Sequence, residues 1–295
     1  MSQKGIQIDN NSFSNCHKLR QISIPSFLTS INEKAFIECS SLIKISIPSS
    51  FNFIGSKAFY KCSSLEQIEI PPLITSIENF TFYCCKSLKE ISIPSNITLI
   101  GESAFQECSS LIQITIPSTV QSIGKRAFKE CSLLTQISIP SSISLIEGYL
   151  FCSCSSLKEF VIPNSVTSIG WRAFNECTSL EKIIIPPSVT SIAEYAFCDC
   201  STLTQVSIPP SITIIRDFTF YGCIQLDKIS IPSSVAYIRN QAFAKCLSLK
   251  SIVIPSSIIS VDKKAFIRCT SLMISVPSKL KIDFELNANI KIKKY

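Results

Sequence analysis

The most reactive residues in this sequence are its cysteines, of which there are fifteen in 295 residues. Thiols can form disulfides, bind metal ions or act as nucleophiles, so their positions must decide among these uses. A residue that returns to the same place in each turn of a repeat is a packing element, and free cysteine behaves as a small, buried hydrophobe. We therefore expect reduced, buried thiols at the twelve cysteines that recur every 23 residues: Cys16, Cys39, Cys62, Cys85, Cys108, Cys131, Cys154, Cys177, Cys200, Cys223, Cys246 and Cys269.

The remaining signals for chemistry are weak. Cys84, Cys152 and Cys198 extend the periodic cysteines to CC or CxC, whereas zinc sites use CxxC pairs or mixtures of Cys and His. His17 is the sole histidine, which leaves Cys/His or Ser/His catalysis without partners. The seven glycines are scattered and form no phosphate-binding loop. The sequence therefore predicts no enzyme, no metal and no cofactor.

The elements that position these residues follow the template L-x-x-I-x-I-P-x-x-V-x-x-I-x-x-x-A-F-x-x-C, with a period of 23. Such a period indicates a solenoid whose coils bury a core only by stacking. The apolar-polar-apolar triplet predicts a short strand, and the proline after it ends that strand. Apolar residues three apart through A-F-x-x-C then predict one short α or 3₁₀ turn. The anchor residues are Phe13, Phe36, Phe59, Phe82, Phe105, Phe128, Phe151, Phe174, Phe197, Phe220, Phe243 and Phe266.

This template closely resembles the 23-residue leucine-rich repeat of the BspA-like family, also called the Treponema-type repeat. The resemblance spans residues 13–277 and rests on twelve copies in register. It implies a right-handed horseshoe with a parallel sheet on its concave face. The expected fold class is accordingly an α/β-type solenoid of about twelve 23-residue coils, with short helical or extended returns on the convex side.

The two ends depart from the template. Residues 1–12 supply only a partial N-terminal return, or cap, to the solenoid at 13–277. Residues 278–295 are basic and alternate in polarity on both sides of an Asn-Ala-Asn at 287–289. We expect this segment to form a capping strand or hairpin, because terminal repeats need a polar outer face.

Candidate binding residues lie on the strands, where they alternate with buried isoleucines and face the predicted concave surface. Most of these positions carry Ser or Gln, but Val161 and Ile184 place two neighbouring apolar side chains there, between Glu159 and Lys182. Exposed apolar side chains rimmed by charge are typical of a contact patch. Trp171, on the return, is either a partner anchor or an aromatic packed on adjacent coils. The predicted partner-binding set is Gln136, Glu159, Val161, Lys182, Ile184, Gln205 and Trp171.

The predicted function is that of a non-catalytic binding protein. The family resemblance implies adhesion at a cell surface in a bacterium or parasitic protist, with a host-matrix or cell-surface protein, or a glycan, as partner. Two alternatives stay open: an intracellular scaffold or regulatory subunit, for instance one that docks a phosphatase, and a structural fragment of a longer surface protein. The net charge of +7 is too diffuse for nucleic acid, and no run could span a membrane. The absence of a secretory signal favours a cytoplasmic location, whereas the resemblance implies the cell surface.

Overall fold

The apolar-polar-apolar triplet of each repeat lies on a strand or a bridge of a parallel sheet, and a second short strand follows the proline. The computed structural model describes residues 6–281, 284–285 and 290–295. The chain divides into two compact units, unit 1 (Met1–Ile143) and unit 2 (Ser144–Tyr295). Each unit is a stack of 23-residue coils, and the predicted parallel-strand solenoid is confirmed, with about twelve turns along the sequence.

Unit 1 has two series of strands. The triplets form β2 (Gln21–Ser23), β4 (Lys44–Ser46), β8 (Gln113–Thr115) and β10 (Gln136–Ser138), and isolated parallel bridges join Lys44 to Gln67 and Glu69 to Ser92. The second series comprises β1 (Ile6–Ile8), β3 (Leu28–Ile31), β5 (Phe53–Ile54), β6 (Ser76–Ile77), β7 (Leu99–Ile100) and β9 (Ser122–Ile123). Paired residues such as Gln113 and Gln136 are one repeat apart, so equivalent side chains form ranks along the stack.

Unit 2 repeats this plan. Its triplet strands are β12 (Glu159–Val161), β14 (Lys182–Ile184), β16 (Gln205–Ser207), β18 (Lys228–Ser230), β20 (Ser251–Val253) and β22 (Met273–Val276). The second series comprises β11 (Leu145–Ile146), β13 (Ser168–Ile169), β15 (Ser191–Ile192), β17 (Ile214–Ile215), β19 (Tyr237–Ile238) and β21 (Ser260–Val261). Where neighbouring strands of one series pair with each other, the pairing is parallel.

The core of each unit consists of columns of identical side chains. The repeat phenylalanines stack nearly face to face, as in Phe105 on Phe128 with ring centroids 5.6 Å apart and planes 2° apart. Columns of leucine and cysteine stand beside the phenylalanines, and Leu111 and Cys108 are fully buried. Because each side chain packs on its equivalents in adjacent coils, the repeat period itself specifies the core.

The predicted α/β class is wrong, and so is the helical form of the returns, which were expected to be helical or extended, since the described residues contain no helix. The backbone instead turns left-handed two residues before and two residues after the phenylalanine, as at Lys34 (φ 58°) and Glu38 (φ 57°). The amide of Phe36 donates to the carbonyl of Ala58 in the next coil at 2.9 Å, whereas the amide of Cys39 donates within its own coil. Amides that alternate between these two partners cannot form the i→i−4 bonds of a helix. The three-residue apolar spacing therefore reflects successive tight turns.

The C-terminal segment adds a strand to unit 2. Strand β23 (Lys291–Lys294) is parallel to β22, and the hydroxyl of Tyr295 donates to the carbonyl of Ile254 at 2.6 Å. Phe284 packs edge-on against Phe266, with ring centroids 5.8 Å apart. The Asn-Ala-Asn at 287–289 lies outside the described residues, as do residues 1–5 of the partial N-terminal return.

Candidate functional site

The outward side chains of the triplet strands form one exposed surface in each unit, at the positions eight and ten residues after the repeat phenylalanine. We call these surfaces the unit 1 strand face and the unit 2 strand face. The unit 2 strand face contains Glu159, Val161, Lys182, Ile184, Gln205, Ser207, Lys228, Ser230, Ser251 and Val253, all of them exposed. Successive side chains of a strand point to opposite faces of the sheet. The first and third residues of each triplet strand are therefore exposed, and the residue between them points toward the core.

Five predicted binding residues meet on the unit 2 strand face. Val161 pairs with Ile184, and the two side chains are 75% and 73% exposed. In the same strands Glu159 pairs with Lys182, and Lys182 pairs in turn with Gln205 on β16. The result is a two-residue aliphatic patch with an acidic and a basic residue along one side, which is the arrangement expected at the centre and rim of a protein interface.

Trp171 lies on the return of unit 2, away from the triplet strands. Its ring contacts Tyr149 edge-on at 4.8 Å, and the guanidinium of Arg172 lies 4.9 Å from the ring centroid. The same guanidinium is 4.5 Å from the centroid of Tyr195, so these four side chains form a continuous aromatic and cationic stack. Trp171 is 42% exposed. Much of its surface is thus in contact with the chain itself.

The remaining predicted residue, Gln136, belongs to unit 1. It is exposed on β10 beside Gln113. Next to it the unit 1 strand face forms a shallow groove of about 720 Å³, which the sequence analysis did not single out. The outward side chains that line this groove, here called the unit 1 groove, are Lys44, Ser46, Gln67, Glu69, Glu90, Ser92, Gln113 and Thr115. An unbroken run of polar residues at the outward strand positions was the available signal for it.

Similarity to known proteins identifies the repeat. The family model described as the BspA type leucine rich repeat region matches six copies, over residues 1–99, 75–204 and 172–293. The chain belongs to the BspA-type leucine-rich repeat family. This confirms the predicted family. No curated protein sequence matches the chain significantly.

Several solved structures, among them those of leucine-rich repeat proteins, are similar over most of the chain. A leucine-rich cell surface protein from Faecalibacterium prausnitzii is 32% identical with a TM-score of 0.63, covering 92% of this chain and 76% of that one. A leucine-rich repeat protein from Bacteroides ovatus is 25% identical with a TM-score of 0.68, covering 100% of this chain and 97% of that one. The pneumococcal vaccine antigen PcpA shares the fold, with 20% identity and a TM-score of 0.68 over 98% of this chain and 84% of its own.

The periodic cysteines of this BspA-type repeat are packed in the core and hydrogen-bonded to the backbone. All fifteen cysteines are free thiols, and every one except the half-buried Cys16 is buried. Ten of the twelve periodic thiols donate to the carbonyl of the repeat phenylalanine one coil earlier, as Cys108 does to Phe82 at 3.1 Å. Burial raises the pKa of Cys108 well above its ordinary value and raises that of Cys269 to about 12. A buried thiol held in its neutral form is a poor nucleophile.

The other candidate groups for chemistry do not converge. The extra thiol of Cys198 contacts the carboxylate of Asp199 at 3.3 Å, and desolvation followed by that carboxylate raises its pKa. His17 pairs through Nδ1 with the hydroxyl of Ser40 at 3.2 Å on the surface. Across residues 6–281, 284–285 and 290–295, no group of three or more His, Cys, Asp or Glu residues could hold a metal ion. The same part of the chain contains no helix long and apolar enough to cross a membrane.

Proposed function

We propose that this chain is a non-catalytic binding protein that works in adhesion at a cell surface, with a protein as partner of the unit 2 strand face. The observation that carries the proposal is the exposed pair of Val161 and Ile184, fixed side by side on parallel strands. A rigid strand face loses little conformational entropy on binding. Membership of the BspA-type family and the likeness to a leucine-rich cell surface protein support the surface location.

The chemistry of the chain supports a role without catalysis. Its periodic thiols other than Cys16 are buried, and its sole histidine pairs with a surface hydroxyl. The unit 2 strand face also has the composition of a contact surface, since Glu159 and Lys182 can orient a partner while the aliphatic pair is desolvated. Gln205 extends the polar side of the patch, and Trp171 offers a second contact on the return.

The binding role is tested with the double variant Val161→Glu/Ile184→Glu, assayed for attachment to surfaces coated with purified extracellular-matrix proteins. Two buried carboxylates at the centre of an interface should reduce attachment at least tenfold. Ser207→Glu/Ser230→Glu is the matched control, because it places the same charges on the same rank of the same face. Attachment of the Val161/Ile184 variant at the wild-type level, with an unchanged melting temperature, would refute the contact patch.

The location is tested separately by protease treatment of intact cells. A surface protein should release peptides of this chain before lysis, with a cytoplasmic enzyme as the negative control. Complete protection before lysis would contradict the surface role and favour an intracellular scaffold.

A further inference from the structure

The unit 1 groove differs in chemistry from the unit 2 strand face. Its side chains form two ranks, one of Lys44, Gln67, Glu90 and Gln113 and the other of Ser46, Glu69, Ser92 and Thr115. Every one of these side chains is exposed, and the residues between them (Ile45, Ile68, Ile91 and Ile114) are buried beneath. The groove is therefore a regular array of amides, hydroxyls and carboxylates on a rigid floor.

The polar groups of the groove are free to bind a ligand. Within the described part of the chain, none of its eight outward side chains has a hydrogen-bond or ion-pair partner. Hydroxyls elsewhere on the coils are engaged: Ser63 donates to the carbonyl of Ser40 at 3.3 Å, and Thr98 to that of Thr75 at 3.2 Å. The hydroxyls at the outward strand positions are instead directed to solvent, in the groove as at Ser207 and Ser230 of unit 2.

The groove lacks the features of a protein interface. None of its outward side chains is aromatic, aliphatic or arginine, the residue types that dominate interface energetics. The contrast with Val161 and Ile184 on the unit 2 strand face is direct. One lysine stands against two glutamates, so the groove also disfavours a polyanion such as a sulfated polymer.

From these observations we propose that the unit 1 groove binds a neutral linear polysaccharide that runs across the strands. Adjacent strands are about 4.8 Å apart, which is close to the length of one sugar ring in an extended β-linked chain. Each sugar can then meet one amide, carboxylate or ammonium group from the first rank and one hydroxyl or carboxylate from the second, since both ranks repeat once per strand. Carboxylates and amides accept hydrogen bonds from sugar hydroxyls, and amides also donate them. Gln136, which pairs with Gln113, extends the array by one strand.

The proposal is tested by isothermal titration of the full chain with β-1,4-linked hexasaccharides of glucose and of N-acetylglucosamine. At least one of them should bind, and Gln67→Ala/Gln113→Ala should weaken that binding about tenfold, because two hydrogen bonds are lost. Gln205→Ala is the matched control, since it removes the same exposed side chain from the same slot in unit 2. All of these changes are at exposed positions, so the melting temperature should not change.

Three results would overturn the proposal: no binding of either hexasaccharide at millimolar concentration, equal binding by Gln67→Ala/Gln113→Ala and the wild type, or stronger binding of a heparin hexasaccharide. Tight binding of oligolysine, lost in Glu69→Gln/Glu90→Gln, would point instead to a cationic peptide and would also refute the assignment. The saccharide site does not depend on the protein-binding role of unit 2. Val161→Glu/Ile184→Glu should keep full saccharide affinity, which separates the failure of one proposal from the failure of the other.

Discussion

Replacement of Cys108 by alanine and by serine should separate the two roles of the thiol column. The thiol of Cys108 is fully buried and donates to the carbonyl of Phe82 at 3.1 Å. Alanine removes both the buried sulfur and the donor, whereas serine removes the sulfur but keeps a donor. If the hydrogen bond contributes to stability, the serine variant should be the more stable of the two.

The magnitude follows from these contacts. Loss of a buried group about the size of a methylene costs about 0.8 kcal/mol, and loss of a neutral hydrogen bond costs about 1 kcal/mol. Cys108→Ala should therefore lower the free energy of unfolding by about 2 kcal/mol. Cys108→Ser should lower it by about 1 kcal/mol, since its hydroxyl can still donate to Phe82.

Urea unfolding under reducing conditions, followed by far-UV circular dichroism, measures both differences. The slope of the transition should stay constant, which shows that the same structure unfolds in each variant. Cys16→Ala is the control: Cys16 is half-buried in the first coil, and its loss should cost less than about 1 kcal/mol. A serine variant less stable than the alanine variant would refute the hydrogen-bond contribution, because a buried hydroxyl without a good acceptor is costlier than a methyl group.

Two further predictions concern the thiols and the backbone. Burial raises the folded-state pKa of Cys108, Cys177 and Cys246. The contribution of these thiols to the free energy of unfolding is thus complete below the pKa of a thiol in the unfolded chain, about 8.5. It declines as the pH rises toward the folded-state pKa, by about 1.4 kcal/mol for each thiol and each pH unit. The urea midpoint should therefore change little from pH 7 to about pH 8.5 and fall steeply from there to pH 10, less steeply in Cys108→Ala; equal slopes in the two proteins would contradict this. Glu130 has a φ of 62°, so Glu130→Val should cost about 1–2 kcal/mol in a thermal melt. Glu130→Asn should be nearly neutral, and equal melting of the two variants would argue against backbone strain.

The sequence predicted the features that depend on side-chain identity at a fixed period. Phe105, Cys108 and Leu111 are fully buried. The same residue type occupies the same slot in each coil, and all of these side chains point toward the core and pack on one another. Strand β10 overlaps its predicted apolar-polar-apolar triplet, Ile137 to Ile139, but begins one residue earlier, so that Ile137 is buried between two exposed residues.

The returns could not be predicted in the same way, because their conformation depends on partners one repeat away. Apolar residues three apart are equally compatible with a helical turn and with successive tight turns. The choice is made by amides such as that of Phe36, which bonds to Ala58 in the next coil. Non-glycine residues with positive φ, among them Lys34 and Glu38, leave no compositional signal because many residue types occupy those slots.

The candidate sites were partly predictable. Val161 and Ile184 are the two adjacent apolar residues in a rank that is polar elsewhere except at Val253, and they could be seen in the sequence. The unit 1 groove has a sequence signal, an unbroken run of polar residues at the outward strand positions, but that run does not separate a groove from an ordinary solvated strand. The structure adds that outward hydroxyls such as Ser92 make no hydrogen bond to the chain, whereas Thr98, in another slot of the coil, donates to the coil before it.

The hydrogen bonds of the returns give one column of peptides in unit 1 an electrical direction, although amides outside this column, such as those of Asn52 and Gly55, donate to the coil before them. The carbonyl of Ala35 accepts from the Phe13 amide in the coil before it, and the Phe36 amide donates to Ala58 in the coil after it. The peptide that joins Ala35 to Phe36 thus lies along the stack, and those that end at Lys34 and Glu38 lie parallel to it. Aligned peptide dipoles sum, as they do in a helix. Here the carbonyl end faces the first coil, so the polarity is opposite to that of an α-helix read in the same chain direction.

The same polarity holds in unit 2, where the Phe243 amide donates to Ala265 in its last coil. The amides of that coil form the positive end of the column, and the carboxylate of Asp262 accepts from one of them, that of Lys264, at 2.8 Å. An acidic side chain is therefore stabilising at this end and a basic one is stabilising at the first coil of unit 1. A charged side chain that stabilises the first coil of unit 1 would for this reason destabilise the last coil of unit 2 in the equivalent slot.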